Sequence, residues 1–166
     1  MTVLAAVHPN TSAMPIPTAT DDSSLPEPRH VPNGALLVAG LGCRKGCSRV
    51  ELEALLHRAL RDHGLTIAAL SCLASSEIKA NEPGLQALAG HLRLPLALLS
   101  AAQLAPYDAS VSEHSPHSKA LTGSAGLAEA SALAQAEIMG NQKARLLCRK
   151  LRSANATCAL AVTRLP

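Results

Sequence analysis

Residues 34–64, GALLVAGLGCRKGCSRVELEALLHRALRDHG, read in succession as strand, turn and helix. The opening run ALLVAG is continuously apolar and closed by glycine, as in a short strand buried on both faces of a sheet. Ser48 is a good helix N-cap because its hydroxyl can accept from the backbone N–H three residues on. Glu51, at that third position, completes a capping-box pattern. Leu52, Leu55, Leu56, Ala59 and Leu60 then share one helical face, and Gly64 supplies the stop. A buried strand feeding an amphipathic helix is the first half of a β/α unit, and it predicts an α/β fold.

The rest of the chain repeats the alternation. TIAALSCLA (66–74) reads as a second strand, SSEIKANEPG (75–84) as a polar connection, and about Pro83 to Leu92 as a helix whose first turn tolerates proline. PLALLS (95–100) is a third strand, followed by a helical turn at Ala101–Leu104 and a loop rich in Ser, His and Pro to about Ala120. A helix from about Gly126 to Ile138 places Leu127, Ala130, Ala134 and Ile138 at compatible spacing. Two closing strands, ARLLC and TCALAVT, are joined by RKLRSANA, short enough for a hairpin-like turn. Strands linked by crossover helices run parallel with right-handed crossovers, so the loops after the first three strands should share one edge of the sheet, where open α/β sheets hold ligands. GLGCRKGCS, SSEIKANEPG and the segment starting at Ser100 are thus expected to be neighbours.

Composition narrows the function. With one Tyr and no Phe or Trp, the core must be aliphatic, and base-stacking nucleic-acid readers are poorly supported. A net charge of +3 with no basic run argues against bulk electrostatic binding to DNA or RNA. The five cysteines, an odd number, do not form a disulfide framework, and the N-terminus lacks a secretory signal, so a reduced cytoplasmic location is expected. No apolar run approaches the ~20 residues of a membrane span. Residues 1–33 hold six of the eleven prolines among small polar residues, which predicts a flexible tail ahead of one domain at 34–166.

The loop GLGCRKGCS has the outline of an anion site. Glycines allow close backbone approach, a helix start carries partial positive charge, and Arg44 and Lys45 add full charges. It matches neither the Walker A pattern nor the dinucleotide fingerprint, and the competing reading is a tight turn with solvated cations. Cys43 and Cys47 have three residues between them rather than two, and no second pair completes a metal set. A lowered thiol pKa at Cys43 is open beside two cations, although cysteine in such places is usually a small hydrophobe, as at Cys72, Cys148 and Cys158. His114 and His117, near Glu113, read as exposed loop histidines rather than metal ligands. Ser76 and Lys79 imitate S-x-x-K without its partner motifs and are set aside. Lys79 and Glu82 are polar groups at a strand's carboxyl end, with a structural ion pair as the alternative. Glu129 suits the first turn of its helix, so no function is needed to explain it, and for Lys150 and Arg152 the competing reading is solvation of a turn.

Taken together, GLGCRKGCS, ASSEIKANEPGLQALAGHLRLPLALLSAAQL, TGSAGLAEASAL and KLRSANATCALAV resemble the successive blocks of the family of CobE and the carboxy-terminal domain of CbiG, proteins of cobalamin (vitamin B12) biosynthesis. The resemblance runs from about Ala35 to Arg164. It rests on Gly40, Gly42, Cys43, Arg44 and Gly46; on Lys79, Glu82, Gly84 and Leu85; on Gly123, Glu129 and Leu133; and on Lys150, Asn155 and Thr157. Cys47, Asn81, Gly126 and Ser153 depart from the family pattern.

The resemblance implies a three-layer α/β/α sandwich with a mostly parallel sheet of about five strands, and a role on corrin-ring precursors. CbiG also carries amino-terminal regions linked to δ-lactone opening, whereas this chain has a proline-rich tail there and looks like the stand-alone CobE type of the aerobic pathway. The implied partner is a precorrin or other corrinoid intermediate, with other corrin-pathway enzymes as further candidates; no nucleic acid, membrane, cofactor or metal is expected. A flat, largely apolar macrocycle fringed with carboxylates needs cations around an aliphatic surface. The expected ligand-binding residues are Gly40, Gly42, Cys43, Arg44, Lys45, Gly46, Ser48, Lys79 and Lys150, with Glu82 or Glu129 as acid/base candidates only if chemistry occurs. The alternatives are a small-molecule enzyme gripping a phosphorylated substrate at the same loop and a non-catalytic partner of another corrin-pathway enzyme. Whether the chain is itself an enzyme stays open.

Overall fold

A computed structural model describes residues 31, 33–110 and 126–166. The expectations for the tail, for His114 and His117 and for Gly123 lie outside the described residues. Strand β1 (Ala35–Cys43) is followed by helix α1 (Arg49–Arg61), strand β2 (Cys72–Ser76), helix α2 (Pro83–Leu92) and strand β3 (Leu96–Leu99). A one-turn helix α3 (Ala101–Leu104) and the long helix α4 (Leu127–Gly140) lead to strands β4 (Arg145–Arg152) and β5 (Ala156–Arg164).

The sheet order is β3-β2-β1-β5-β4. Its pairings of β1 with β2 and of β2 with β3 are parallel, whereas β5 runs antiparallel to both β1 and β4. The sheet is therefore mixed, which corrects the expectation of a mostly parallel one. The cause is the connection between β4 and β5, whose three residues Ser153–Asn155 permit only an antiparallel pair. Because β5 slots in beside β1 instead of at the edge, that one reversed strand makes two antiparallel ladders.

Period-two alternation along β1 feeds two cores. Leu37, Ala39 and Leu41 face α1 and α2, meeting Leu52, Leu56, Leu60, Leu85 and Leu88, all of which are fully buried or nearly so. Val38, with Cys72, Ala74 and Ala161, faces α3 and α4. The result is helices on both sides of one sheet, packed almost wholly from Leu and Ala.

Three local readings change. TIAA does not extend β2, because residues Ile67–Ala69 form a 3-10 turn and pairing with β1 begins at Cys72 opposite Val38. The first half of RKLRSANA, residues 149–152, belongs to β4 itself. Ile138 is 55% exposed, so it does not continue the apolar face of α4. That helix is buried nearly all round over residues 127–134, a pattern that amphipathic spacing describes poorly. Among the described residues, no helix is long and apolar enough to cross a membrane.

Candidate functional site

The carboxyl ends of β1 and β2 and the β4–β5 turn meet at one rim. The loop leaving β1 is a tight turn in which the Cys47 N–H donates to the Arg44 carbonyl at 3.1 Å, with Gly46 in the left-handed region at φ +80°. Two neighbours hold its backbone. The Arg44 N–H donates to the Asn155 carbonyl in the β4–β5 turn at 2.8 Å, and the Gly46 N–H donates to the Glu82 carboxylate at 3.0 Å. The start of α2 also presses on this loop, since a Cβ on Gly84 would stand 2.1 Å from the Cys47 carbonyl oxygen.

Ser48 caps α1 as expected, accepting from the Glu51 N–H at 3.1 Å. The reciprocal half of the capping box is replaced. The Glu51 side chain reaches the β4–β5 turn, where Oε1 accepts from the Ser153 hydroxyl at 2.5 Å and the Asn155 N–H at 2.7 Å, and Oε2 accepts from the Asn155 side-chain amide at 3.1 Å. Hydrogen bonds from Ser153 and then Asn155 hold the Glu51 carboxyl below its ordinary pKa. A complete capping box occurs instead at α3, where Ser100 and Gln103 satisfy each other's backbone, a pattern that S-x-x-Q spells in the sequence.

Gly40 and Gly42 are buried, and the atoms nearest them belong to the protein. A Cβ on Gly40 would fall 1.8 Å from the Ala128 carbonyl oxygen, and one on Gly42 would fall 2.6 Å from the Thr157 hydroxyl. Gly40 lets α4 settle directly on β1, and Gly42 makes room for the Thr157 side chain of β5. Arg44, Lys45 and Gly46 are exposed at the tip, Ser48 is exposed beside them, and Lys79 is half-buried at the end of the 3-10 turn Glu77–Lys79. Among the described residues no ion pair joins Lys79 to Glu82, whose carboxylate is turned to Gly46.

The thiols are not activated. Burial pushes the Cys43 thiol up, only partly opposed by Lys79, with Glu82 adding to the rise. Burial, then the charges of Glu51 and Cys43, push Cys47 up to about 11. The notion of a lowered Cys43 pKa is thus overturned, because the cations beside it in sequence point outward while desolvation dominates. All five cysteines are free. Among the described residues no group of three or more His, Cys, Asp or Glu side chains is arranged to hold a metal ion.

Lys150 and Glu129 meet on the β4 side of the sheet. Glu129 is fully buried in the first turn of α4 and accepts the Lys150 N–H at 2.9 Å, tying that helix to β4. Lys150 lies two strands from β1, across β5. Glu82 and Glu129 sit on helices packed against opposite faces of the sheet, so they do not come together as an acid/base pair. The rim brings together Arg44, Lys45, Gly46, Ser48, Lys79 and Glu82. Glu51 and Ser153 were not foreseen there, and Asn155 was marked only by the resemblance.

Residues 37–161 match the model of a family described as cobalamin synthesis G C-terminus. Protein CobE of Sinorhizobium sp. is 39% identical over 128 residues, covering 77% of this chain and 80% of the relative. Among solved structures, that of CobE, a protein from the cobalamin (vitamin B12) biosynthetic pathway, is 43% identical with a TM-score of 0.75, covering 78% of this chain and 91% of the other. That of cobalamin biosynthesis protein chiG from Agrobacterium tumefaciens is 32% identical with a TM-score of 0.58, covering 76% and 97%.

Proposed function

The chain belongs to the cobalamin synthesis G C-terminus family and is a cobalamin-biosynthesis protein of the CobE type, and from that premise we propose that it binds a corrin-ring intermediate at the rim where the ends of β1 and β2 meet the β4–β5 turn. The observation that carries the reading is the pair of exposed cations, Arg44 and Lys45, at the tip of a loop whose own backbone is fastened on two sides. Long cationic side chains on a fixed base suit the acetate and propionate groups around a corrin, because each charge-assisted contact forms without reordering the backbone. Lys79 adds a third cation beside Cys43. The two carboxylates of the rim, Glu51 and Glu82, accept hydrogen bonds from protein donors. Binding or carrying the intermediate is the role these residues support.

Titration with hydrogenobyrinic acid, followed by visible absorption, tests the proposal. The wild type should shift the spectrum and gain thermal stability, and R44E/K45E should melt like the wild type while losing the shift. Unchanged affinity in the double variant would remove the loop from the site. Binding of inorganic phosphate at comparable strength, without the tetrapyrrole, would favour a phosphorylated substrate.

A further inference from the structure

We infer that Glu51 is a positioning residue for the cationic loop, acting on Arg44 through the β4–β5 turn; this rests on the reading of that loop as the corrinoid carboxylate site. The chain of contacts is continuous. Glu51 stands on the first turn of α1 and takes three hydrogen bonds from Ser153 and Asn155, residues over one hundred positions later. The carbonyl of that same Asn155 accepts the Arg44 N–H at 2.8 Å. Arg44 is thereby set between a helix start and a hairpin turn, two elements with no local connection in sequence. Ser153 adds an internal brace, its hydroxyl accepting from the Ala156 N–H at 3.1 Å.

The arrangement is more than a helix cap. A capping-box glutamate turns back to its own N-cap, whereas this one leaves that amide and crosses to another element. The turn it holds is the wall against which the Arg44 backbone rests. Without Glu51, Asn155 would keep only the Arg44 contact and the Ser153–Ala156 closure of its turn, and the Arg44 side chain would start from more loop positions.

Charge and geometry predict opposite signs, which makes the inference testable. Glu51 is an anion close to a site for anions, so if it acted only by its field, removing it would tighten the binding of a polycarboxylate. As a positioning residue its removal weakens binding. The substitutions E51A and E51Q separate the two, because two of the three hydrogen bonds fall on Oε1, and a glutamine carbonyl can accept both.

Hydrogenobyrinic acid is titrated into wild type, E51Q, E51A and S153A, with amide exchange at Arg44 and Asn155 measured on the same proteins. E51A should bind about tenfold more weakly and exchange both amides faster, S153A should fall between, and E51Q should stay within about threefold of wild type. Tighter binding in both Glu51 variants, or unchanged binding and exchange in E51A, overturns the inference. Should the wild type itself fail to bind, the functional reading falls instead. The exchange rates would still decide the positioning role, which requires faster exchange in E51A but not in E51Q.

Discussion

Gly40→Ala examines the close contact between β1 and α4. The added methyl would stand 1.8 Å from the Ala128 carbonyl oxygen and 2.7 Å from both the Ala132 nitrogen and the Ser131 hydroxyl. Two of these three atoms are helix backbone, so no rotamer change relieves the clash, and α4 must withdraw from β1 by roughly 1.5 Å to restore a normal contact. Withdrawal opens the seam along Val38, Ala74, Ala132 and Ala161, whose side chains have little reach to refill it. The cost belongs at the upper end of overpacking, about 3 kcal/mol. With a urea slope of about 2 kcal/mol/M, the unfolding midpoint should fall by about 1.5 M. Gly90→Ala is the control with the opposite sign. Gly90 is exposed inside α2, nothing lies within 4 Å of its added methyl, and helix propensity alone should raise stability by about 0.5–1 kcal/mol. Far-ultraviolet circular dichroism against urea reads both variants. A midpoint for G40A within about 0.5 M of wild type at an unchanged slope would mean that α4 does not rest on β1 in this way.

Two further outcomes follow from the rim's ionisable groups. The folded-state pKa of Glu51 lies below its ordinary 4.5, so its contribution to stability is whole above that value and is lost as pH falls through the lowered one. Between about pH 5 and pH 3 the melting temperature of the wild type should therefore drop more than that of E51Q, and parallel profiles would contradict the contacts to Ser153 and Asn155. Cys43 and Cys47 should alkylate with iodoacetamide more slowly than a free thiol at pH 7, with the rate still climbing at about pH 10, where free cysteine has levelled off. Rapid labelling of Cys43 at neutral pH would show an activated thiolate.

What sequence reveals here is what is local. The strand–turn–helix unit over residues 34–64 is written in an apolar run, a cap and a leucine face, and the structure has β1, the Ser48 cap and α1 where those signals stand. The hairpin of β4 and β5 is also legible, but its consequence for the sheet is not, because a short turn fixes which strands pair without saying where the pair inserts. The rim shows the same divide. Arg44 and Lys45 are conspicuous beside glycines, whereas Glu51 reads as a capping-box residue because its partners lie beyond local range. Gly40 and Gly42 look like residues that invite a ligand until Ala128 and Thr157 are found against them. The alanine and serine content of residues 128–136 is the one sequence signal that could have paired a helix of small side chains with a glycine-bearing strand.

Topology explains why the cationic loop occurs after β1 rather than after another strand. From β1 the chain winds outward through α1, β2, α2 and β3 with both helices on one face, then returns along the other face through α3 and α4. β1 is therefore where the winding reverses, and in open α/β sheets the crevice forms at that point because successive connections leave toward opposite faces. Here the place beside β1 is taken by a reversed strand, so a tight turn rather than a second open loop stands beside the cationic loop, and its Asn155 carbonyl accepts the Arg44 amide. Glu82 holds the Gly46 amide, and the Arg44 carbonyl holds that of Cys47. A phosphate cradle needs such amides turned toward the ligand. With these three engaged by the protein, the proposed recognition of an anion would fall to side chains, since two long exposed cations can follow carboxylates spread around a wide ring as backbone amides cannot.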